Sequence, residues 1–202
     1  AVSPAVALDG SDDIGAFGVA QRMATGASYD TSTFALDWDD DSIFIALDSA
    51  AFTDDWRPLV LYFGESTPTP IGGAGITYSA LTPQLPFTPL GAIVLRNVSD
   101  DESGFGPYAG VWHADGGWHL VHRFERGVDS FLSADERTLS ASFPRALLGT
   151  DNLYVAGHVV DGTLASEWRD VIPATHQPWT PSATGYLALS LSNLDHANWT
   201  LK

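Results

Sequence analysis

The sequence predicts an all-β protein: a two-sheet antiparallel β-sandwich of jelly-roll-like form with very little helix. Three observations carry that expectation. Apolar residues recur with period two along most of the chain, the signature of half-buried strands rather than helices. Turn-forming residues break these runs at short intervals, with 19 Gly and 12 Pro in 202 residues. The acidic residues are 20 Asp against 5 Glu, a balance that favours turns over helix faces.

Taken in order, an opening apolar strand is expected to end at Leu8-Asp9-Gly10. The clearest unit is the hairpin that follows. Phe34, Leu36 and Trp38 share one face of a strand over 33–38, and Ile43, Ile45 and Leu47 share a face of the next. Asp39-Asp40-Asp41 lies between them. Three consecutive carboxylates cannot stay in a core strand, so they mark the turn. Residues 59–63 are continuously apolar, as expected of a strand covered on both faces. Residues 64–91 are mostly loop, with Gly72, Gly73 and Gly75 close to Pro68 and Pro70, and with a short strand at 75–80. Further strands are expected at 92–98, 108–113, 118–124, 138–143, 152–160 and 186–192. Pro144 to Gly149 reads as one short helical turn, with Pro at its start and Gly at its end. Neither half of the chain holds a complete core, so residues 1–202 are expected to form one domain.

The formal net charge is −16, and the only lysine is Lys202. Nucleic-acid binding needs a basic footprint that displaces counterions, and this chain lacks one, so nucleic acid is excluded as a partner. No apolar run approaches the roughly 18 to 20 residues of a membrane-spanning helix. Residues 1–7 lack the basic start and long apolar centre of a signal peptide, so a mature, already processed chain is expected. The absence of cysteine excludes disulfides, thiolate metal sites and thiol nucleophiles, and leaves the compartment open.

The order of features carries a resemblance. The Leu8-Asp9-Gly10 ending, the Trp38-Asp-Asp-Asp-Ser-Ile-Phe-Ile-Ala-Leu47 hairpin, the run from Leu139 through Phe143-Pro144 to Gly149, and Leu153-Tyr-Val-Ala-Gly-His-Val159 follow one another in the sequence. In this order the chain resembles the β-sandwich superfamily that includes family 9 carbohydrate-binding modules and DOMON domains. The resemblance implies an exported, non-catalytic domain at the cell surface or outside the cell. It also implies that the domain binds sugar, haem or a partner surface, with calcium as a structural ion.

Sugar rings pack their C–H faces on aromatic rings while their hydroxyls bond to Asp, Asn, Gln and Arg, so aromatics beside polar groups are the feature to seek. Trp168 lies in Glu167-Trp168-Arg169-Asp170 and Trp179 follows His176-Gln177-Pro178, both in a loop-like stretch between the last two strands. Trp56 sits at a loop edge after Asp54-Asp55. The candidate sugar-binding set is therefore Trp168, Trp179 and Trp56 with Arg169, Asp170 and Gln177. The alternative is that these aromatics plug the open end of the sandwich. Trp38 belongs to the core by alternation.

Trp112 and Trp118 flank Asp115-Gly116-Gly117. A two-residue turn sets His113 across from Trp118 and puts the two tryptophans on opposite faces. A three-residue loop sets Ala114 across from Trp118 and gives Trp112, Trp118 and Leu120 one face. A shared face is more often a sheet-surface cluster than a ligand platform.

Calcium takes six to eight oxygen ligands, which Asp-rich turns can gather. Asp9, Asp12, Asp13, Asp39 and Asp41 are the candidate ligands, with Asp54-Asp55 and Asp100-Asp101-Glu102 as further acidic turns. The EF-hand pattern is absent. So are the nucleophile elbow, the His-Glu-x-x-His zinc motif, the phosphate-binding loop and the dinucleotide fingerprint, so an enzyme is not expected. His119 and His122 are three residues apart, which on a regular strand puts them on opposite faces and argues against a shared transition metal. The resemblance would make Met23 and His158 the axial pair of a haem, but a lone Met is more often a gap filler in a core, so haem is not expected. Edge strands of an open sandwich leave adhesion or self-assembly as a further reading.

Overall fold

The computed structural model describes residues 6–27, 32–53, 57–77, 82–97, 107–123, 129–160, 168–174, 185–192 and 200–201. The first strands are β1 (Arg22–Ala24), β2 (Gly26–Ala27), β3 (Thr33–Trp38), β4 (Ser42–Asp48) and β5 (Leu59–Glu65). Then come β6 (Gly73–Ala74), β7 (Gln84–Leu85), β8 (Pro89–Arg96), β9 (Tyr108–His113), β10 (His119–Arg123) and β11 (Asp129–Leu132). The chain continues through β12 (Thr138–Pro144), β13 (Asn152–Val160), β14 (Trp168–Ile172), β15 (Leu187–Ser190) and β16 (Thr200–Leu201). One α-helix, α1 (Asp13–Ala16), is present among the described residues. No helix there is long and apolar enough to cross a membrane.

The strands form an antiparallel sandwich. The smaller sheet runs β1-β3-β4-β12-β11 and the larger runs β10-β9-β8-β5-β13-β14-β2, with β15 also paired to β13 and β16 to β15. In the hairpin, Phe34 pairs with Leu47, Leu36 with Ile45 and Trp38 with Ile43. All six side chains therefore enter the space between the sheets, where they meet Leu59, Leu61, Phe63, Ile93, Val111, Leu153 and Val155 of the larger sheet. Each such burial contributes about 1.5 to 3 kcal/mol, so this layer dominates the stability of the fold.

The continuous apolar run at 59–63 is explained by a second layer. Leu59, Leu61 and Phe63 face the smaller sheet, while Val60 and Tyr62 face outward beneath Ile76, Leu85 and Phe87. The loop before β8 thus closes over the outer face of the larger sheet. The Tyr62 hydroxyl oxygen ties that closure down by accepting from the Ile76 N–H at 3.1 Å. A third, smaller cluster joins Val6 and Phe17 to Ala35 and Ala46 on the outer face of the smaller sheet.

Several expectations need correction. Residues 6–9 form no strand; the segment instead leads into α1, where the Asp12 carboxylate accepts from the Gly15 N–H at 3.1 Å. Of the short strand expected at 75–80, residues 75–77 are not strand and 78–80 lie outside the described residues; a two-residue strand lies just before it, Gly73–Ala74, paired with Gln84–Leu85. Gly75 then lies under Tyr62, where a Cβ would stand 2.7 Å from the hydroxyl oxygen. The stretch read as loop before the last strand contains β14, paired to β13 through Gly157–Ile172 and His158–Val171.

Candidate functional site

The turn after β12 builds one wall of the site. Pro144 opens it, the Leu148 N–H donates to the Arg145 carbonyl at 3.0 Å, and Gly149 ends it at φ +69. This conformation suits a residue without Cβ. Facing that turn are the ends of β8 and β9. Between them lies a cleft of about 390 Å³ whose lining includes Leu90, Trp112, His113, Asp115, Leu147 and Leu148. A second cleft of about 410 Å³ is lined by Asp40, Arg145, Thr150 and Asp151 and shares Ala146 and Gly149 with the first. One wall is apolar and aromatic; the other is charged.

Arg145 organises the charged side. Its Nη1 donates to the Asp39 carbonyl at 2.7 Å, its Nη2 pairs with Asp151 at 2.8 Å, and its backbone N–H donates to the Asp41 carbonyl at 2.9 Å. Within the turn, Asp39 Oδ1 accepts from the N–H groups of Asp41 at 2.9 Å and Ser42 at 2.7 Å. Local donors therefore hold one oxygen of the Asp39 carboxylate, while the Arg145 guanidinium and backbone N–H hold the Asp39 and Asp41 carbonyls behind it.

The hairpin on the other side settles the loop length. His113 pairs with His119 and Trp112 with Leu120, so Ala114 falls across from Trp118 around Asp115-Gly116-Gly117, the longer of the two loops weighed above. Trp112 and Trp118 both pack on the outer layer. Trp118 stands edge-on to Tyr62 at 5.7 Å, and its Nε1 donates to the Ala74 carbonyl at 3.2 Å. Trp112 also lines the apolar cleft. Beyond it, β10 carries an irregularity between Leu120 and His122 that brings His122 opposite Val111. The extra residue, Val121, changes the parity on which the opposite-face argument for His119 and His122 rested.

Of the sequence-nominated sugar-binding residues, only Asp170 has its side chain among the described residues. Trp56, Gln177 and Trp179 lie outside the described residues, as do the side chains of Trp168 and Arg169, whose backbones belong to β14. Asp54-Asp55 and Asp100-Asp101-Glu102 also lie outside them. Asp170 is only 2% exposed. Its Oδ1 accepts from the Thr25 hydroxyl at 2.9 Å and its Oδ2 from the Ser49 hydroxyl at 2.6 Å. Those contacts tie β14 to the segments around β1 and β4.

Among the metal candidates, Asp13 is 3% exposed. Its carboxylate accepts from the N–H groups of Asp9 at 2.9 Å and Gly10 at 3.0 Å, and from the Ser140 hydroxyl. Asp9 Oδ1 accepts from Ser11, whose hydroxyl and N–H hold the Asp9 carboxyl below the usual carboxylate range. Ser140 pairs with Ala46, four residues along β4 from Ser42. About 13 Å of strand therefore separates the Asp9–Asp13 group from the Asp39–Asp41 turn, and the two do not pool ligands. Among the described residues no group of three or more His, Asp or Glu forms a metal cluster.

The haem pair is likewise divided. Met23 packs against the layer between the sheets. His158 lies on β13 with its ring 5.5 Å from that of Tyr62, on the outer face of the larger sheet. The larger sheet lies between the two side chains.

The cleft escaped sequence reading because its walls come from three separate segments, 90–92, 111–115 and 146–149. The strands at 92–98 and 108–113 and the short turn at 144–149 were each visible as elements, but nothing in the sequence marks that they face one another. Comparison with family models, with curated proteins and with solved structures finds no match to this chain.

Proposed function

We propose that this chain is a non-catalytic extracellular binding domain for carbohydrate, with the ligand seated in the two clefts flanking the 145–149 turn. The observation that supports this reading is the juxtaposition across one shared wall. Leu90, Trp112 and Leu147 supply apolar and aromatic surface, and Asp40, Arg145, Thr150 and Asp151 supply donors and acceptors. Sugars need both kinds of surface at once. Each cleft also falls in the size range of about 300 to 1,000 Å³ that small ligands occupy. The site moves from the nominated Trp168 and Trp179 stretch to the Trp112 end. Calcium enters only as a variable of the test, because the described turn carboxylates already have local donors.

The test is a titration of intrinsic tryptophan fluorescence with oligosaccharides and soluble polysaccharides, first in calcium and then in chelator. Saturable binding to one sugar class, weakened at least tenfold by Asp151→Ala, supports the reading and its location. A chain that responds to none of them overturns it. If light scattering then shows mass rising with calcium, the self-assembling surface protein takes its place.

A further inference from the structure

We propose that His113 and His119 form a cross-strand binding site for a divalent transition ion, Cu²⁺ or Zn²⁺. The site sits at the mouth of the apolar cleft and stands independently of the carbohydrate reading.

The ladder sets the geometry. His113 and His119 are direct partners in the β9–β10 register, and directly opposed residues on a sheet carry Cβ atoms about 4.5 to 5.5 Å apart. Their ring centroids are 6.5 Å apart with planes at 65°. With metal–nitrogen bonds of about 2.0 to 2.1 Å, two imidazoles sharing one ion hold their centroids roughly 5 to 6.5 Å apart. The pair stands at the outer limit of that range before any side-chain adjustment.

The tautomer is set as well. His119 Nδ1 is 3.1 Å from the Gly117 carbonyl oxygen. A carbonyl can only accept, so Nδ1 carries the proton and Nε2 presents its lone pair. A backbone carbonyl fixing one ring nitrogen while the other ligates is the usual support of a metal-binding imidazole. Gly117 holds that carbonyl from φ +129, a conformation available to glycine and rarely to other residues. His119 is exposed, and His113 lines the cleft with Asp115, so an ion reaches the pair from solvent.

The chemistry selects the ion. Imidazole suits copper, zinc and nickel, whereas calcium and magnesium take oxygen. Among the described residues no third His, Asp or Glu completes a cluster. With these two imidazoles as its ligands, the ion has open positions for water or a ligand oxygen in the cleft. Affinity should rise from Zn²⁺ to Cu²⁺.

The experiment is calorimetric titration of the whole chain with CuCl₂, ZnCl₂ and CaCl₂ in a non-coordinating buffer, alongside amide spectra recorded with substoichiometric Cu²⁺. One Cu²⁺ site is expected, weakened at least tenfold by His113→Gln and by His119→Gln, with both variants folded by circular dichroism. His122→Gln should change it less than threefold. Paramagnetic broadening should begin at residues 112–120. Binding that survives both substitutions, that is abolished by His122→Gln alone, or that broadens the Asp9–Asp13 turn first overturns the proposal.

Discussion

Arg145 grips Asp39 by its backbone, Nη1 donating to the carbonyl at 2.7 Å. A positive charge is thus already seated behind the three-aspartate turn. The other arm of the guanidinium reaches Asp151, which is exposed. The two contacts are unequal for that reason: a half-buried bond to a carbonyl stabilises more than an ion pair open to water.

Arg145→Ala is expected to cost about 1 to 3 kcal/mol in urea denaturation, because it leaves the Asp39 carbonyl unpartnered. Asp151→Asn should stay within about 0.5 kcal/mol. Equal losses in the two variants would assign the stabilisation to the ion pair instead.

Asp170→Ala should destabilise by about 2 to 4 kcal/mol, since it strands the buried Ser49 hydroxyl and the half-buried Thr25 hydroxyl. Affinity for a ligand in the clefts should change less than twofold. A variant that keeps full stability and loses binding would return Asp170 to the binding surface.

Two glycines separate crowding from backbone conformation. At Gly157 a Cβ would stand 2.7 Å from the Val60 carbonyl oxygen, a contact with backbone that cannot swing aside. Gly157→Ala should therefore cost about 1 to 3 kcal/mol. Gly149 has open space around it but φ +69, so Gly149→Ala should cost about 1 kcal/mol. Thermal denaturation of the two variants measures the difference, and the reverse order would contradict this account.

The Ser133 hydroxyl holds the Asp135 carboxyl below its ordinary value of 3.8, assisted by the Arg137 N–H. A depressed carboxyl contributes stability that is present above its unfolded value and is lost as pH falls through the folded one. The melting temperatures of the wild type and Asp135→Asn should therefore differ most near neutrality and converge below about pH 4. A difference that persists unchanged to pH 2.5 would show that the charge plays no part.

Much of the scaffold was legible because its signals are local. The Phe34-Leu36-Trp38 and Ile43-Ile45-Leu47 alternation fixes a face, the intervening aspartates fix the turn, and the run at 59–63 announces a strand dry on both sides. β14 was missed because Trp168-Arg169-Asp170 reads as a polar loop, whereas Asp170 is buried by hydroxyls from Thr25 and Ser49, far away in sequence. The His119–His122 spacing misled because alternation assumes a regular strand, and the irregularity before His122 breaks it. The cleft depends on Leu147 and Trp112 lining one space from different segments, which no spacing within either segment records.

The loop that covers Tyr62 gives this domain an outer wall, and that has a practical consequence for anyone reshaping it. Removing residues 66–88 as a dispensable excursion would strip Ile76, Leu85 and Phe87 from above Val60, Tyr62, Val94 and Tyr154. The sheet beneath would stay paired and yet present a broad oily patch to solvent, of the kind that draws proteins into aggregates. Solubility, more than folding, would set the limit on trimming.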